Sequence, residues 1–465
     1  MVESDPTLGA PQAGFIEQDF DHFGDSQRDQ GKKWKQHFYS LSTQNDSLPP
    51  TEINFLMLEG EGGFSVSWIS DNWAFVQWAK AYGATAYTLE HRFYGNSDSE
   101  LVNDSVDLER LKLLTSQQAL ADAAVFIKNI NREKNFTNPM WITLGGSYPG
   151  NLAAWMRLKY PDLVEGAIAS SAPVFAKTNF KEYLQVVDNS YKLYGSEGCA
   201  EAIVDFFGRA QQLIKTAEGR RQLRICEPAN GELANYDAQL FMSGHLGSLS
   251  ETVQYDDSSH YKMNKTCNYY KGWITWLDQL KQNSSLSAGS CTSYSFEKDM
   301  ASFNDTKSLT YYWYWQTCNE FGYFQTSERN TSSYSIHQDA LTPDFFVEMC
   351  KQIFGKQFDR AYTDSMVDYT NQVFGGLDTY HVTNIKHSIF FLILLIEQEK
   401  YVFLNGSEDP WHKLSVLSDV NQHVRSYLIE GTSHCYDMYA VNSFSMQGHV
   451  DAHEIAKSEL KKWLS

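Results

Sequence analysis

Nothing in the 465-residue chain is apolar for long enough to cross a bilayer. The longest apolar run, Ile389 to Ile396, falls well short of the roughly 20 residues a spanning helix needs, and it gives way to Glu397-Gln398-Glu399-Lys400. It is expected to be a buried helix. A basic block is also missing: Lys+Arg number 38 against Asp+Glu 57, for a formal net charge of -19 at pH 7. That balance excludes nucleic acid and anionic membrane as favourable partners. It suits an acidic compartment, as it suits many neutral-pH proteins. Met1 to Ala10 carry neither the basic n-region nor the apolar h-region of a signal peptide, which fits a cytosolic protein or one whose leader has been removed. There is no C-x-x-C pair and no nearby Cys/His pattern that would hold zinc, so neither metal nor cofactor is expected. No internal repeat or low-complexity segment interrupts the chain.

Six of the seven cysteines, Cys199, Cys226, Cys267, Cys291, Cys318 and Cys350, fall between residues 199 and 350. A disulfide framework confined to one segment is the simpler reading, with buried free thiols as its rival. Asn-X-Ser/Thr sequons stand at Asn45, Asn103, Asn135, Asn264, Asn283, Asn304, Asn330 and Asn405. The pattern is cheap and several must be chance, but their number favours the secretory route. The expected location is lysosomal or endosomal, or outside the cell.

The first part of the chain alternates strand-like and helix-like stretches. Ile53 to Leu58 is a short apolar run ending in Glu59-Gly60-Glu61-Gly62-Gly63, and Trp73 to Tyr82 follows with helical spacing. Ala84 to Leu89 is a second strand, leading into Glu90-His91-Arg92-Phe93-Tyr94-Gly95. Ser116 opens an amphipathic helix, Met140 to Leu144 is a third strand and Gly166 to Ala169 a fourth. From about Lys177 helical patterns, cysteines and aromatic clusters take over. The alternation resumes after residue 384, with strands at Tyr401 to Leu404 and Ser426 to Ile429 and a closing helix from Ala452 to Leu464. Strands separated by helices predict a largely parallel sheet covered on both faces. The expected division is 1–176 and 385–465 as two parts of an α/β domain, with 177–384 an inserted, mainly helical cap.

Leu144-Gly145-Gly146-Ser147-Tyr148-Pro149-Gly150 joins a strand to a helix. A serine between small residues at such a turn is a nucleophile elbow, where the bend lifts the hydroxyl above the sheet. The amide of Tyr148 is then placed to hold an oxyanion. Pro149 replaces the usual second glycine, and its fixed φ suits a first helical turn. A serine hydroxyl needs a base held by a carboxylate, in the chain order Ser, Asp or Glu, His, on loops after late strands. Tyr401 to Leu404 runs into Asn405-Gly406-Ser407-Glu408-Asp409-Pro410-Trp411, and Ser426 to Ile429 runs into Glu430-Gly431-Thr432-Ser433-His434. Asp409 and His434 are the expected acid and base, Glu408 the rival acid, and Asp437 a turn or cap residue. His91 is expected to be structural or to face substrate, and His412, His449 and His453 are read as polar surface residues. The second oxyanion donor is expected at the amide of Glu61 or Gly62, with the Glu61 side chain facing substrate as the alternative.

With Gln18-Asp19-Phe20-Asp21-His22-Phe23, Gln316-Thr317-Cys318-Asn319-Glu320-Phe321-Gly322 and His434-Cys435-Tyr436-Asp437 added, these motifs span nearly the whole chain. Together they resemble the family of the lysosomal Pro-X carboxypeptidase, dipeptidyl peptidase II and the thymus-specific serine protease. Asp409-Pro410-Trp411-His412 and Ser433-His434-Cys435 are most similar to the thymus-specific branch. The resemblance implies an α/β-hydrolase with a disulfide-bonded helical cap, and cleavage of peptides at or near proline. It implies the pairs Cys199–Cys267, Cys226–Cys291 and Cys318–Cys350, with Cys435 free. It also implies that Trp411 lines the pocket for the residue before the scissile bond. Asn151 stands there where the carboxypeptidase has an apolar residue, which weakens a strict proline preference. The expected partners are peptide substrates, and a homodimer is compatible with the sequence. An esterase or lipase using the same three residues, and a non-catalytic binding protein on the same scaffold, are the alternatives.

Overall fold

The runs Ile53–Leu58, Met140–Gly146, Gly166–Ser170 and Tyr401–Gly406 are buried along almost their whole length. Strands of that kind must lie inside a sheet covered on both faces. In the computed structural model they do so; residues 9–43, 51–95, 100–103, 106–226, 233–257, 259–282, 289–303, 305–327, 340–377 and 399–465 are described.

Eight strands form one sheet in the order β1-β2-β4-β3-β5-β6-β7-β8. In chain order they are β1 (Gln12–Asp19), β2 (Lys33–Ser42), β3 (Ile53–Leu58), β4 (Thr85–Leu89), β5 (Met140–Gly146), β6 (Gly166–Ser170), β7 (Tyr401–Gly406) and β8 (Val424–Ile429). From β4 to β8 every pairing is parallel, and β1 and β2 close one edge in antiparallel fashion. This is the α/β-hydrolase fold.

The two antiparallel strands are the elements the sequence does not announce. β1 reads QAGFIEQD and is largely exposed, so it shows no apolar run. On one face of the sheet the helices Ala74–Ala81 and Gln447–Trp463 bury Phe75, Trp78, Ala456 and Leu460 against Phe55, Ile142 and Val402. On the other face Ser116–Glu133 and Tyr148–Lys159 pack Phe126, Ile127, Leu152 and Trp155 into a core that continues into the helical segment.

Between β6 and β7 the described chain is mainly helical, from Lys181–Tyr194 to Arg360–Phe374. Disulfides Cys199–Cys267, Cys226–Cys291 and Cys318–Cys350 brace this cap, and Cys435 is free and half-buried. The apolar run Ile389 to Ile396 lies outside the described residues, as do Asn45, Asn283, Asn304 and Asn330. Asn405 is fully buried and donates its amide to the Val416 carbonyl, so this sequon is closed to glycan. Among the described residues no helix is long and apolar enough to cross a membrane.

Candidate active site

β5 ends at Gly146 and the next helix begins at Tyr148, leaving Ser147 at the bend with φ 65° and ψ -134°. A non-glycine residue reaches that region only when its surroundings compel it. A Cβ on Gly145 would lie 2.1 Å from the Pro149 carbonyl oxygen, so the turn closes only around a bare glycine. Pro149 occupies the first helical turn and packs its ring on Gly60, where a Cβ would lie 2.5 Å from Pro149 Cγ. The elbow and the glycine-rich turn after β3 are thereby in direct contact.

Asp409 follows β7 by three residues and His434 follows β8 by five. His434 Nδ1 lies 2.9 Å from Asp409 Oδ1, with both side chains buried. The same Asp409 oxygen accepts the Trp411 backbone N–H at 3.0 Å, which holds the carboxylate in place. The His434 N–H donates to the carbonyl of Gln254, the last residue of the cap helix Asn235–Gln254. Gln254 Oε1 also accepts from the Trp411 indole at 3.0 Å and the Tyr183 hydroxyl at 2.6 Å. Burial disfavours a charge on His434, but the Asp409 carboxylate and the hydrogen-bonded Cys435 sulfur outweigh it. The imidazole pKa is therefore held well above the ordinary histidine value.

Three motifs that lie far apart in the chain meet at Tyr148. Its buried hydroxyl is 3.0 Å from His91 Nε2 and 3.2 Å from Ser116 Oγ, and it accepts from Gln316 Nε2 at 3.1 Å. Gln316 accepts in turn from the Tyr94 hydroxyl and donates to Glu320, whose other oxygen accepts the Ser116 N–H. Burial pushes the Glu320 carboxyl up to about 7 and the His91 imidazole down to about 4. His91 is thus a neutral structural partner of the elbow. Behind it, buried Arg92 grips Asp122 through two bonds of 2.7 and 2.8 Å and donates to the Phe20 carbonyl, while His22 bonds the same carboxylate.

Ser147 and His434 line one cavity of about 360 Å³ together with Glu59, Glu61, Pro149, Trp68, Trp73, Tyr255, Cys435 and Met438. Sequence reasoning missed Tyr255, Trp68 and Trp73, which carry no motif and reach the cavity only through tertiary packing. Glu61 turns its carboxyl inward, where it bonds its own amide and the Ser147 hydroxyl. Burial raises its pKa against the pull of these bonds and of His434. The Glu61 amide and side chain, weighed as alternatives from sequence, are therefore engaged with each other.

Trp411 and Asn151 are not in the lining of this cavity. Trp411 packs its ring among Phe180, Tyr183 and Tyr323, 6.5 Å from the His434 ring. Asn151 is fully buried and donates its amide to the Pro173 carbonyl and the Tyr323 hydroxyl.

Three histidines differ from expectation. His412, His449 and His453 are buried, because turns bring the carbonyls of Asp409, Tyr439 and Asp437 to their ring nitrogens. Asp437 is also more than a turn residue: it is buried, accepts from Ser170 Oγ at 2.6 Å and is pushed up to about 7 by burial. Glu408 faces His260 of the cap rather than His434.

The family model for serine carboxypeptidase S28 matches residues 18–448. The chain belongs to that family. Among its relatives, a Caenorhabditis elegans protein named as a serine protease is 32% identical over 473 residues, covering 96% of this chain and 87% of its own. The thymus-specific serine protease of Mus musculus is 30% identical over 98% of this chain and 88% of its own. The lysosomal Pro-X carboxypeptidase of Homo sapiens is 26% identical over 88% of this chain and 81% of its own. As an S28 member, the chain is an enzyme of the serine peptidase class.

Proposed function

We propose that this peptidase cleaves short or unfolded peptides at or near proline through an acyl-enzyme on Ser147. The observation that carries the reading is the Asp409–His434 pair at 2.9 Å, which borders the cavity that Ser147 enters from its strained bend. In this mechanism His434 Nε2 takes the Ser147 proton as Oγ bonds to the peptide carbonyl carbon. The tetrahedral oxyanion is held by the amides of Tyr148 and of Gly62, the neighbour of Glu61 in the glycine-rich turn. His434 then protonates the leaving amine as the C–N bond breaks, and water reverses the sequence to release the acid. Asp409 fixes the imidazole tautomer and stabilises its charged form.

Trp68 and Trp73 give the cavity flat apolar walls of the kind a proline ring packs on, whereas Trp411 is buried among Phe180, Tyr183 and Tyr323 outside its lining. Disulfides, sequons and the name of the lysosomal relative support a secretory route ending in lysosome, endosome or the exterior.

The test is fluorophosphonate labelling of wild type and Ser147→Ala, followed by a mixed peptide library digested between pH 4 and 8. Labelling lost in the variant and cuts clustered beside proline are expected. Labelling that persists in the variant would sink the nucleophile, and ester hydrolysis with no cut in any peptide of the library would sink the substrate class.

A further inference from the structure

The loop that carries Asp409 meets the cap at a second polar cluster, distinct from the catalytic cavity. Glu408, next to Asp409, is 3% exposed, and Asp256, just beyond the cap helix Asn235–Gln254, is 5% exposed. His260 Nδ1 lies 3.0 Å from Asp256 Oδ2 and 3.9 Å from Glu408 Oε2. Its ring is stacked on Tyr194 with centroids 4.6 Å apart, which fixes its plane. Donor atoms of the three side chains all lie within 4.8 Å of one another.

Hydrogen bonding leaves this cluster incomplete. Asp256 Oδ1 and Glu408 Oε1 are buried without a hydrogen-bond partner. Two carboxylates in the interior, facing one imidazole and each with an oxygen unmatched, are costly unless positive charge is supplied. We propose that Asp256, His260 and Glu408 bind a divalent cation of the zinc class.

The charge closes: two carboxylates and a neutral imidazole balance one dication. One nitrogen and two carboxylate donors match zinc, whereas calcium asks for six to eight oxygens and magnesium for an octahedral oxygen shell. A zinc ion sits about 2.0–2.2 Å from each ligand, so less than about an ångström of closure brings the three donors onto it. The fourth position is left to water.

The position of the site gives it a task. Asp256 also accepts the Ser433 hydroxyl on its carbonyl, one residue from His434, and the Glu408 N–H donates to Thr432. A bound ion therefore ties the cap to both loops that carry Asp409 and His434. It is a positioning site, with no part in bond making.

Chelator-treated full-length protein is titrated with zinc at neutral pH by calorimetry, and bound metal is counted by elemental analysis. One zinc per chain is expected, with calcium and magnesium at least ten-fold weaker. Glu408→Gln and His260→Gln should each weaken zinc at least ten-fold and abolish the zinc-induced rise in melting temperature. Wild type that takes up no stoichiometric zinc overturns the site, whatever the variants do. Binding that survives Glu408→Gln and His260→Gln but is lost in Cys435→Ala moves the ion to His434 and also overturns it. So does a cluster whose substitution alters melting only with pH and never with metal.

Discussion

The carboxamide of Gln316 donates to the phenol of Tyr148 at 3.1 Å, so a cap side chain holds the residue that follows Ser147. The amide assigned to the oxyanion belongs to that tyrosine, and its direction depends on where the ring is pinned.

Gln316→Leu removes a donor to Tyr148 and Glu320 and the acceptor of Tyr94, all of them buried. Leaving such groups unmatched costs about 1–3 kcal/mol. Calorimetric unfolding should show that loss, and peptide hydrolysis should show kcat falling more than KM changes. An unchanged melting temperature would contradict the network.

Asp409→Asn keeps the shape of the acid but ends its ion pair with His434 and favours the wrong tautomer. A kcat loss of about 10⁴-fold is expected, the scale of such replacements in serine hydrolases of this type. Fluorophosphonate labelling should slow in parallel while the fold persists by circular dichroism. Near-normal turnover would return the acid role to a neighbour such as Glu408.

Cys435 raises the His434 pKa together with Asp409. The base works only when neutral, so each raising influence moves the acid limb of the kcat/KM profile to higher pH. Cys435→Ala should move that limb to lower pH, leaving the plateau within a few-fold. A limb that stays in place, or moves up, contradicts the contact.

Glu59 is pushed up to about 9, chiefly by burial and then by Glu90. The folded chain keeps that proton while the unfolded chain releases it near the ordinary value of 4.5. Folded protein thus binds more protons between these limits, and stability falls as pH rises through them, by at most about 1.4 kcal/mol per pH unit. Glu59→Gln removes this component. Its melting temperature should gain on wild type steadily from pH 5 to pH 8, and parallel curves would refute the assignment.

What could be read from the sequence follows what local pattern encodes. β3, β5, β6 and β7 were visible because full burial writes an apolar run, and the strand-end positions of Ser147 and Asp409 followed from them, while that of His434 followed from the partly buried β8. β1 was invisible because an exposed edge strand writes mixed polarity. His449 and His453 seemed to belong to a surface because their carbonyl partners come from a distant turn. Asp256, His260 and Glu408 could not be foreseen as a group, since two come from the cap and one from the loop after β7, and their spacing fits no short metal pattern.

Gln254 touches the His434 backbone, the Trp411 indole and the Tyr183 hydroxyl from the end of one cap helix. The cap is in this sense part of the chassis rather than a door. Excising it would leave the sheet with a base and an aromatic wall that have lost their seats, so a trimmed α/β body is expected to be inert even if it folds. Heating should silence the enzyme at the temperature where the cap melts, in one event and not two.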